Sequence, residues 1–135
     1  MEKKVLEKKA IEGRIKLSKS VLPFCKKGKL LDIGCGFGHV SNFFHKKGFI
    51  VEGFDINKKK ILKCKEKYKG IDFYVKDVSQ KIEGKYDVIL LIGVLEEISL
   101  PPKEVLKKLK KNLKKEGRII IAVRNTNALR RRIKG

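Results

Sequence analysis

Short apolar segments alternate along this chain with longer segments whose apolar residues recur at helical spacing. The apolar segments are Lys29–Gly34, Phe49–Asp55, Ile71–Asp77, Tyr86–Val94 and Arg118–Val123. The segments with helical spacing are Val5–Phe24, His39–Gly48, Asn57–Gly70 and Pro101–Gly117. This alternation predicts βαβ units with right-handed crossovers. The expected fold class is α/β, a doubly wound, mostly parallel sheet of about five strands flanked by helices, with a further helix at the N-terminus.

The length of the chain fits a single domain. Its 135 residues can enclose one hydrophobic core. The patterns divide it into an N-terminal helix over 1–27, a core over 28–125 and a basic tail over 126–135. The best apolar run, Val88–Leu95, is far shorter than the ~20 residues that cross a bilayer, so we expect no transmembrane segment. The N-terminus lacks the apolar region of a secretory signal.

The cysteines indicate the compartment. Cys25, Cys35 and Cys64 form an odd and widely spaced set, which argues against a disulfide framework and favours buried or bystander thiols in a reducing cytoplasm. They also form no zinc motif, because C-x-x-C is absent and His39 and His45 fall on different faces of a helix. We therefore expect a cytoplasmic location and no metal site.

The net charge of +20 is distributed unevenly. Residues 1–29 carry +7, residues 30–100 carry only +2, and residues 101–135 carry +11. Basic flanks attract nucleic acid or anionic lipid. The 29 lysines against 6 arginines fit a compositional bias equally well, because nucleic-acid readers favour the bidentate contacts of arginine. RNA is therefore kept as a candidate partner through the basic flanks.

Three glycines follow an aspartate at the end of the first predicted strand, in the sequence LLDIGCGFGH. Gly34, Gly36 and Gly38 allow a tight turn into the next helix. The absence of side chains lets a ligand lie against the main chain, and we expect the N–H groups of the turn to be exposed. Parallel sheets bind ligands at this rim, near the point where the strand order reverses.

Two further aspartates end neighbouring strands at the same rim. Asp55 ends the second strand, where a carboxylate can accept both hydroxyls of a ribose. Asp77 ends the third strand, where it can reach an adenine ring. The glycine turn and the two acids together predict an adenosine site.

The glycine spacing distinguishes among adenosine ligands. NAD-binding turns have G-x-G-x-x-G and face a pyrophosphate with a helix N-terminus, whereas the third glycine here comes one residue early. Asp32, just before the turn, would repel a diphosphate but favours an ammonium or sulfonium cation. S-adenosyl-L-methionine carries both cations and no phosphate. The P-loop motif of ATP-binding proteins is absent.

The chain resembles the class I S-adenosylmethionine-dependent methyltransferases. LLDIGCGFG is similar to their motif I, VEGFDI to their second-strand motif and VKDV to their adenine-binding segment. YDVILLIGVLEEI and LKKNLKKEGRIIIAVRN are similar to their fourth- and fifth-strand regions. The resemblance covers about residues 28–125 with five motifs in order. It implies a Rossmann-like fold and a cofactor-binding core over this stretch.

The resemblance also implies which residues bind the cofactor. Motif I holds the methionine part, the second-strand acid binds the ribose, and the third-strand acid and the amide after it pack on the adenine. The positions in this chain are Asp32, Gly34, Cys35, Gly36, Gly38, Asp55, Ile56, Asp77, Val78 and, at the end of the fourth strand, Ile92.

The chain departs from the family pattern in three places. Glu97 stands where many relatives have a histidine, and the family's Pro-Gly-Gly before the fifth strand is reduced to Gly117, with Arg124 in place of a later proline. The family normally continues into a further helix and an antiparallel strand pair, whereas this sequence stops at NALRRRIKG. We therefore expect the fifth strand to be an exposed edge through which the protein forms a homo- or hetero-oligomer.

No catalytic residue is assigned from the sequence. Methyl transfer depends mainly on alignment of nucleophile, methyl group and sulfur. A general base is needed only when the acceptor atom carries a proton that must be removed before or during the transfer. Glu97 and the adjacent Glu96 are the nearest candidates by motif position. The alternative is that these acids cap the short turn before Pro101.

Three functions remain open. The first is methyl transfer to a small molecule, because the chain lacks the [DN]-P-P-[YF] motif of nucleic-acid amine methyltransferases and the Pro-Cys pair of cytosine C5 chemistry. The tail residues Arg130, Arg131 and Arg132 favour RNA or an anionic membrane instead. The second function is a non-catalytic, S-adenosylmethionine-binding subunit. The third is a nicotinamide-dependent oxidoreductase.

Overall fold

A computed structural model describes residues 2–122. The predicted basic tail, with its arginine cluster, lies outside the described residues. Two short 3-10 turns, Leu22–Phe24 and Leu95–Glu97, accompany the helices and strands. The helices and strands are α1 (Glu2–Val21), β1 (Lys29–Ile33), α2 (His39–Lys46), β2 (Ile50–Asp55), α3 (Lys58–Lys67), β3 (Asp72–Val75), β4 (Tyr86–Ile92), α4 (Pro102–Lys110) and β5 (Leu113–Ala122).

The five strands form one parallel sheet in the order β3-β2-β1-β4-β5. The chain moves outward from β1 to β3 and then returns to the opposite side of β1 as β4. The loops that follow β1 and β4 therefore leave the sheet side by side and open a crevice between them. The expected fold class is confirmed, and this crevice is where the glycine turn lies.

The sheet separates two apolar clusters. On one face, Leu30 of β1 packs with Phe44 of α2 and Ile61 of α3, and α1 contributes partly buried residues. On the other face, Leu31 of β1 packs with Val105 of α4. Successive residues of β1 therefore enter opposite clusters, which fixes the register of the central strand.

Helix α1 lies against α2 and ends just before Pro23, where the sequence predicts the end of the helix. Its first two turns are exposed, and its only fully buried residue is Ser18. None of the helices between residues 2 and 122 is long and apolar enough to span a bilayer.

The boundary between α4 and β5 differs from the prediction. The sequence pattern places Leu113 on the helix, but the helix ends earlier and Leu113 is the first residue of β5. The buried side-chain amide of Asn112 donates hydrogen bonds to the carbonyl oxygens of Ile82 at 2.7 Å and Gly84 at 3.0 Å. The backbone carbonyl oxygen of Asn112 accepts the N–H of Tyr86 at 2.8 Å. These long-range bonds hold Asn112 beside the start of β4. The helix therefore ends and β5 begins at a point where the spacing of apolar residues is still helical.

Candidate functional site

The glycine turn joins β1 to α2 and contacts the turn that follows β4. Gly34, Gly36 and Gly38 have φ angles of 71°, 54° and 85°, in the region that other residues rarely adopt. A Cβ at Gly34 would lie 2.8 Å from Cγ1 of Val94, so a side chain here would close the space between the two turns. The bare Cα of Gly34 keeps the crevice open.

The N–H groups of Gly34, Cys35 and Gly36 are not free, contrary to the prediction that the turn exposes its N–H groups. Gly34 and Cys35 donate their N–H groups to the carbonyl oxygen of Phe54 at 2.9 and 3.0 Å. Gly36 donates its N–H to Oδ2 of Asp55 at 2.8 Å. The end of β2 therefore holds the main chain of the turn in place. The glycines allow other groups to approach the main chain closely, and their N–H groups do not serve as free donors for a ligand.

A cleft of about 200 Å³ opens at the carboxyl ends of the strands. Apolar side chains from β1 and β2 form part of its wall, and acidic side chains lie around it. Five of the ten predicted binding residues line it: Gly34, Asp55, Ile56, Asp77 and Val78. The structure thus brings residues from three separate motifs together at one cleft.

Asp55 has a half-buried carboxylate with both oxygens already accepting one hydrogen bond. Oδ2 accepts the N–H of Gly36 at 2.8 Å, and Oδ1 accepts the N–H of Asn57 at 2.9 Å. An ionised carboxylate has about four acceptor positions, so one remains on each oxygen. The two backbone donors orient the group, and the remaining positions can accept two hydroxyls of a ligand.

Asp77 lies at the opposite side of the cleft from the glycine turn, in a tight turn after β3. Its Oδ1 accepts the N–H of Ser79 at 3.0 Å, and its own N–H donates to Oε1 of Gln80 at 2.9 Å. Val78, the next residue, is buried and contributes to the apolar wall. An acceptor next to a flat apolar surface suits an adenine ring.

Asp32 lies behind the glycine turn rather than on the cleft wall. Its side chain is only 2% exposed, and Oδ2 accepts a hydrogen bond from the Ser41 hydroxyl at 2.6 Å. Burial raises the pKa of this carboxyl to about 6, although the Ser41 hydroxyl and the charge of Arg14 lower it. At neutral pH Asp32 is therefore mostly ionised, and its charge acts on the site from beneath the turn.

Other predicted binding residues are not at the cleft. Cys35 and Ile92 are 5% and 4% exposed and belong to the apolar cluster beneath α2 and α3. Ile92 ends β4 as expected, but its side chain points into the core, and Val94 lines the cleft in its place. Gly36 and Gly38 lie on the helix side of the turn, where they face α1 and α3.

Sequence reasoning missed Arg14, which reaches the glycine turn from α1. A Cβ at Gly36 would lie 3.5 Å from Nη1 of Arg14. Nε of Arg14 is buried and has no hydrogen-bond partner among the described residues. Arg14 is the first of only six arginines in this lysine-rich chain. The rarity of arginine is the one feature of the sequence that sets this residue apart.

The turn after β4 supplies further residues of the cleft. Val94, Glu97 and Ile98 line it together with Lys76. Glu97 is exposed, and its N–H donates to the carbonyl oxygen of Val94 at 2.9 Å within the 3-10 turn. Nζ of Lys76 donates to the carbonyl oxygen of Lys81 at 2.8 Å, so the one cation among the lining residues is engaged away from the cleft.

Residues 6–134 match the methyltransferase-domain family. This match covers nearly the whole chain, and the chain therefore belongs to that family. The predicted resemblance to the S-adenosylmethionine-dependent methyltransferases is confirmed.

Three similar proteins illustrate the relationship. The ubiquinone biosynthesis O-methyltransferase of Vibrio campbellii is 27% identical over 106 residues, which are 73% of this chain and 45% of that protein. The crystal structure of the PH0226 protein from Pyrococcus horikoshii has a TM-score of 0.70 and 28% identity, covering 95% of this chain and 59% of that one. The plantazolicin methyltransferase BpumL, crystallised with a desmethyl-plantazolicin analogue and S-adenosylhomocysteine, has a TM-score of 0.67 and 26% identity, covering 92% and 50%. The chain thus spans about half the length of the relatives it matches.

The buried charge of Asp32 generates a prediction about stability. Because its folded-state pKa lies above the ordinary value of 3.8, ionisation lowers the free energy of unfolding as the pH rises from about 4 to 6. The total cost above pH 6 is about 3 kcal/mol. We expect Asp32→Asn to be more stable than the wild type at pH 7.5 in urea denaturation, with the difference disappearing by about pH 4.

Asp72→Asn is the matched control, because Asp72 is an exposed acid at the far end of β3. We expect it to leave stability within about 0.5 kcal/mol of the wild type at both pH values. A less stable Asp32→Asn protein at pH 7.5 would show that the buried charge is compensated within the fold.

Proposed function

We propose that this domain binds S-adenosylmethionine in the cleft at the strand ends and transfers its methyl group to an acceptor. The observation that carries the proposal is the arrangement of Asp55, oriented by two backbone donors and with an acceptor position left on each oxygen. When bound, the cofactor supplies a methyl group activated by a positively charged sulfur. Membership in the methyltransferase-domain family supports the same assignment.

The lining of the cleft fits an adenosine. The two remaining acceptor positions of Asp55 suit the 2′- and 3′-hydroxyls of a ribose. Ile56, which is 71% exposed, and the buried Val78 offer apolar surface to an adenine, with Asp77 at its edge as the acceptor for an exocyclic amine. Gly34 allows the ligand to pass between the two turns.

The charges of the cleft favour a cation. Asp55, Asp77 and Glu97 line it, whereas Lys76 is the only basic residue among the described lining residues. This acidic cleft lies in a chain whose net charge is +20. With ionised Asp32 beneath the turn, the local field favours a sulfonium and an ammonium and opposes a diphosphate. These charges support S-adenosylmethionine over a nicotinamide dinucleotide.

Arg14 is proposed to bind the carboxylate of the methionine part. Its guanidinium lies against Gly36, on the side of the turn away from the adenosine region, and its Nε has no partner among the described residues. An arginine offers a planar pair of donors that matches a carboxylate. Arg14 and Asp32 then provide one charge of each sign for the two charges of an amino-acid group.

The acceptor is proposed to be a small molecule. Two of the similar proteins described above are named as a ubiquinone biosynthesis O-methyltransferase and a plantazolicin methyltransferase. No residue is assigned as catalytic, because alignment is the main requirement. For an acceptor that carries a proton, Glu97 is the acidic side chain that lines the cleft within the turn after β4. The alternative that the sequence left open is a non-catalytic cofactor-binding subunit.

RNA is the second candidate acceptor, favoured by the distribution of charge. Helix α3 and the end of α4 expose rows of lysines, and residues 101–135 carry +11. Such surfaces bind phosphates without reading sequence.

Two further expectations from the sequence also remain proposals. One is a cytoplasmic location. The other is pairing with another chain through β5, whose outer edge has no partner strand among residues 2–122.

Calorimetry tests cofactor binding. We expect S-adenosylmethionine and S-adenosylhomocysteine to bind and NAD not to bind. Asp77→Ala removes the acceptor at the adenine edge and should weaken the binding of S-adenosylhomocysteine by roughly tenfold to a hundredfold. Asp72→Ala, the same change at the far end of β3, should bind as the wild type does. Binding of NAD alone would overturn the proposal.

A second ligand separates the role of Arg14 from a general effect on the fold. Arg14→Gln should weaken the binding of S-adenosylhomocysteine by roughly tenfold to a hundredfold, because a charge-assisted hydrogen bond is lost. Methylthioadenosine lacks the amino-acid group, so its affinity should not change. Lys16→Gln removes the same charge from an exposed position on α1 and should affect neither ligand. Equal losses for both ligands would contradict carboxylate binding.

Transfer of a labelled methyl group distinguishes the acceptor classes. Incubation with labelled S-adenosylmethionine and either cell-extract metabolites or total RNA should label the metabolite fraction. Label in RNA, with binding that weakens steeply as salt is raised, would favour the second candidate. Cofactor binding without label in either fraction would favour the non-catalytic subunit.

A further inference from the structure

Two of the three cysteines converge beneath the glycine turn. Cys64 of α3 donates its thiol hydrogen to the carbonyl oxygen of Gly36 at 3.2 Å. Sγ of Cys35, within the turn itself, lies 4.0 Å from the same oxygen. Both side chains are buried, at 5% exposure for Cys35 and 0% for Cys64. Cys25 belongs to a different region, where its thiol donates to the carbonyl oxygen of Val21.

The two thiols are chemically unequal. The neighbouring Cys35 thiol stabilises a thiolate at Cys64, which lowers the pKa of Cys64 and raises the pKa of Cys35, and burial raises the pKa of Cys35 further. Cys64 therefore loses its proton first. A thiolate is the nucleophilic form of cysteine, so Cys64 is the group that reacts with an oxidant and Cys35 is the group that resolves the product. Because both thiols are buried, the oxidant reaches Cys64 only when the turn opens locally.

We propose that Cys35 and Cys64 form a reversible disulfide that lowers the affinity of the site for its cofactor, an inference whose second half rests on the proposed function. In a reducing cytoplasm such bonds are transient and serve redox sensing rather than stability. The pair is free in the structure, which is the reduced and binding-competent form.

Hydrogen peroxide is the oxidant that balances the reaction. The Cys64 thiolate attacks one peroxide oxygen, the O–O bond breaks, and the sulfur becomes a sulfenic acid while the other oxygen leaves as hydroxide and takes up a proton as water. The Cys35 sulfur then attacks the Cys64 sulfur, a second water leaves, and the disulfide forms. Two thiols and one peroxide thus give one disulfide and two waters. A dithiol reductant reverses the change.

The disulfide would act on the binding site through Gly36. Bringing the sulfurs to about 2.05 Å removes the thiol hydrogen bond to the Gly36 carbonyl and draws the turn towards α3. The N–H of the same residue is the donor that orients Asp55. There is little free space for this shift, since a Cβ at Gly38 would already lie 3.1 Å from Sγ of Cys64. Oxidation therefore disturbs the acid proposed to bind the ribose.

The experiment uses the full chain carrying Cys25→Ser, so that the two remaining cysteines are the pair. After hydrogen peroxide we expect no free thiol, a mass lower by two hydrogen atoms, and recovery of both thiols with a dithiol reductant. Calorimetry should show S-adenosylhomocysteine bound about 5- to 150-fold more weakly by the oxidised protein than by the reduced one. Bound S-adenosylhomocysteine should in turn slow the oxidation.

Cys64→Ser in the same background is the control, because it cannot form the bond and its affinity should not respond to peroxide. If that variant does not fold, Cys35→Ala provides the same control. Two thiols that persist in peroxide, or an oxidised protein that binds as tightly as the reduced one, would overturn the inference. Failure of the proposed function gives a different result: the reduced protein does not bind S-adenosylhomocysteine, and the disulfide is then judged by mass and by hydrogen exchange at residues 34–38.

Discussion

The hydrogen bond from the N–H of Gly36 to the Asp55 carboxylate joins the two halves of the site. It links the loop after β1 to the end of β2. This loop lies at the carboxyl edge of the sheet, beside the point where the strand order reverses. The carbonyl oxygen of Phe54 adds two bonds to the same loop. Because the end of β2 fixes the loop, the cleft is formed before any ligand arrives, and Asp55, the acid proposed to bind the ribose, is already oriented.

The site places negative charge in a strongly basic protein, and part of that charge is buried at a cost. Asp32 is held in the core with a pKa raised to about 6 by burial, beside a single hydroxyl donor. A fold selected only for stability gains nothing from this carboxylate, whereas a site for a sulfonium and an ammonium does. Arg14 reaches the same turn from α1, so charges of both signs lie next to it.

The sequence predicted the parts of the fold that depend on local pattern. β4 is apolar except for Asp87 and is buried along its whole length, and the glycine spacing placed the turn correctly. Asp55 and Asp77 could be placed because carboxyl ends of parallel strands share one edge. Leu113 was placed wrongly, because the bonds of Asn112 to the loop before β4 are long-range and leave no periodic signal. The orientation of Ile92 and the position of Arg14 depend on packing between distant segments, which local spacing does not encode.

A crystal structure with S-adenosylhomocysteine tests the central claim most directly. We expect density in the cleft with the ribose hydroxyls on the two Asp55 oxygens, the adenine beside Asp77 and Val78, and the carboxylate at Arg14. The Gly36–Asp55 bond should persist in the complex. Density for the nucleoside elsewhere on the protein, or a complex in which Asp55 turns away from the ribose, would contradict it.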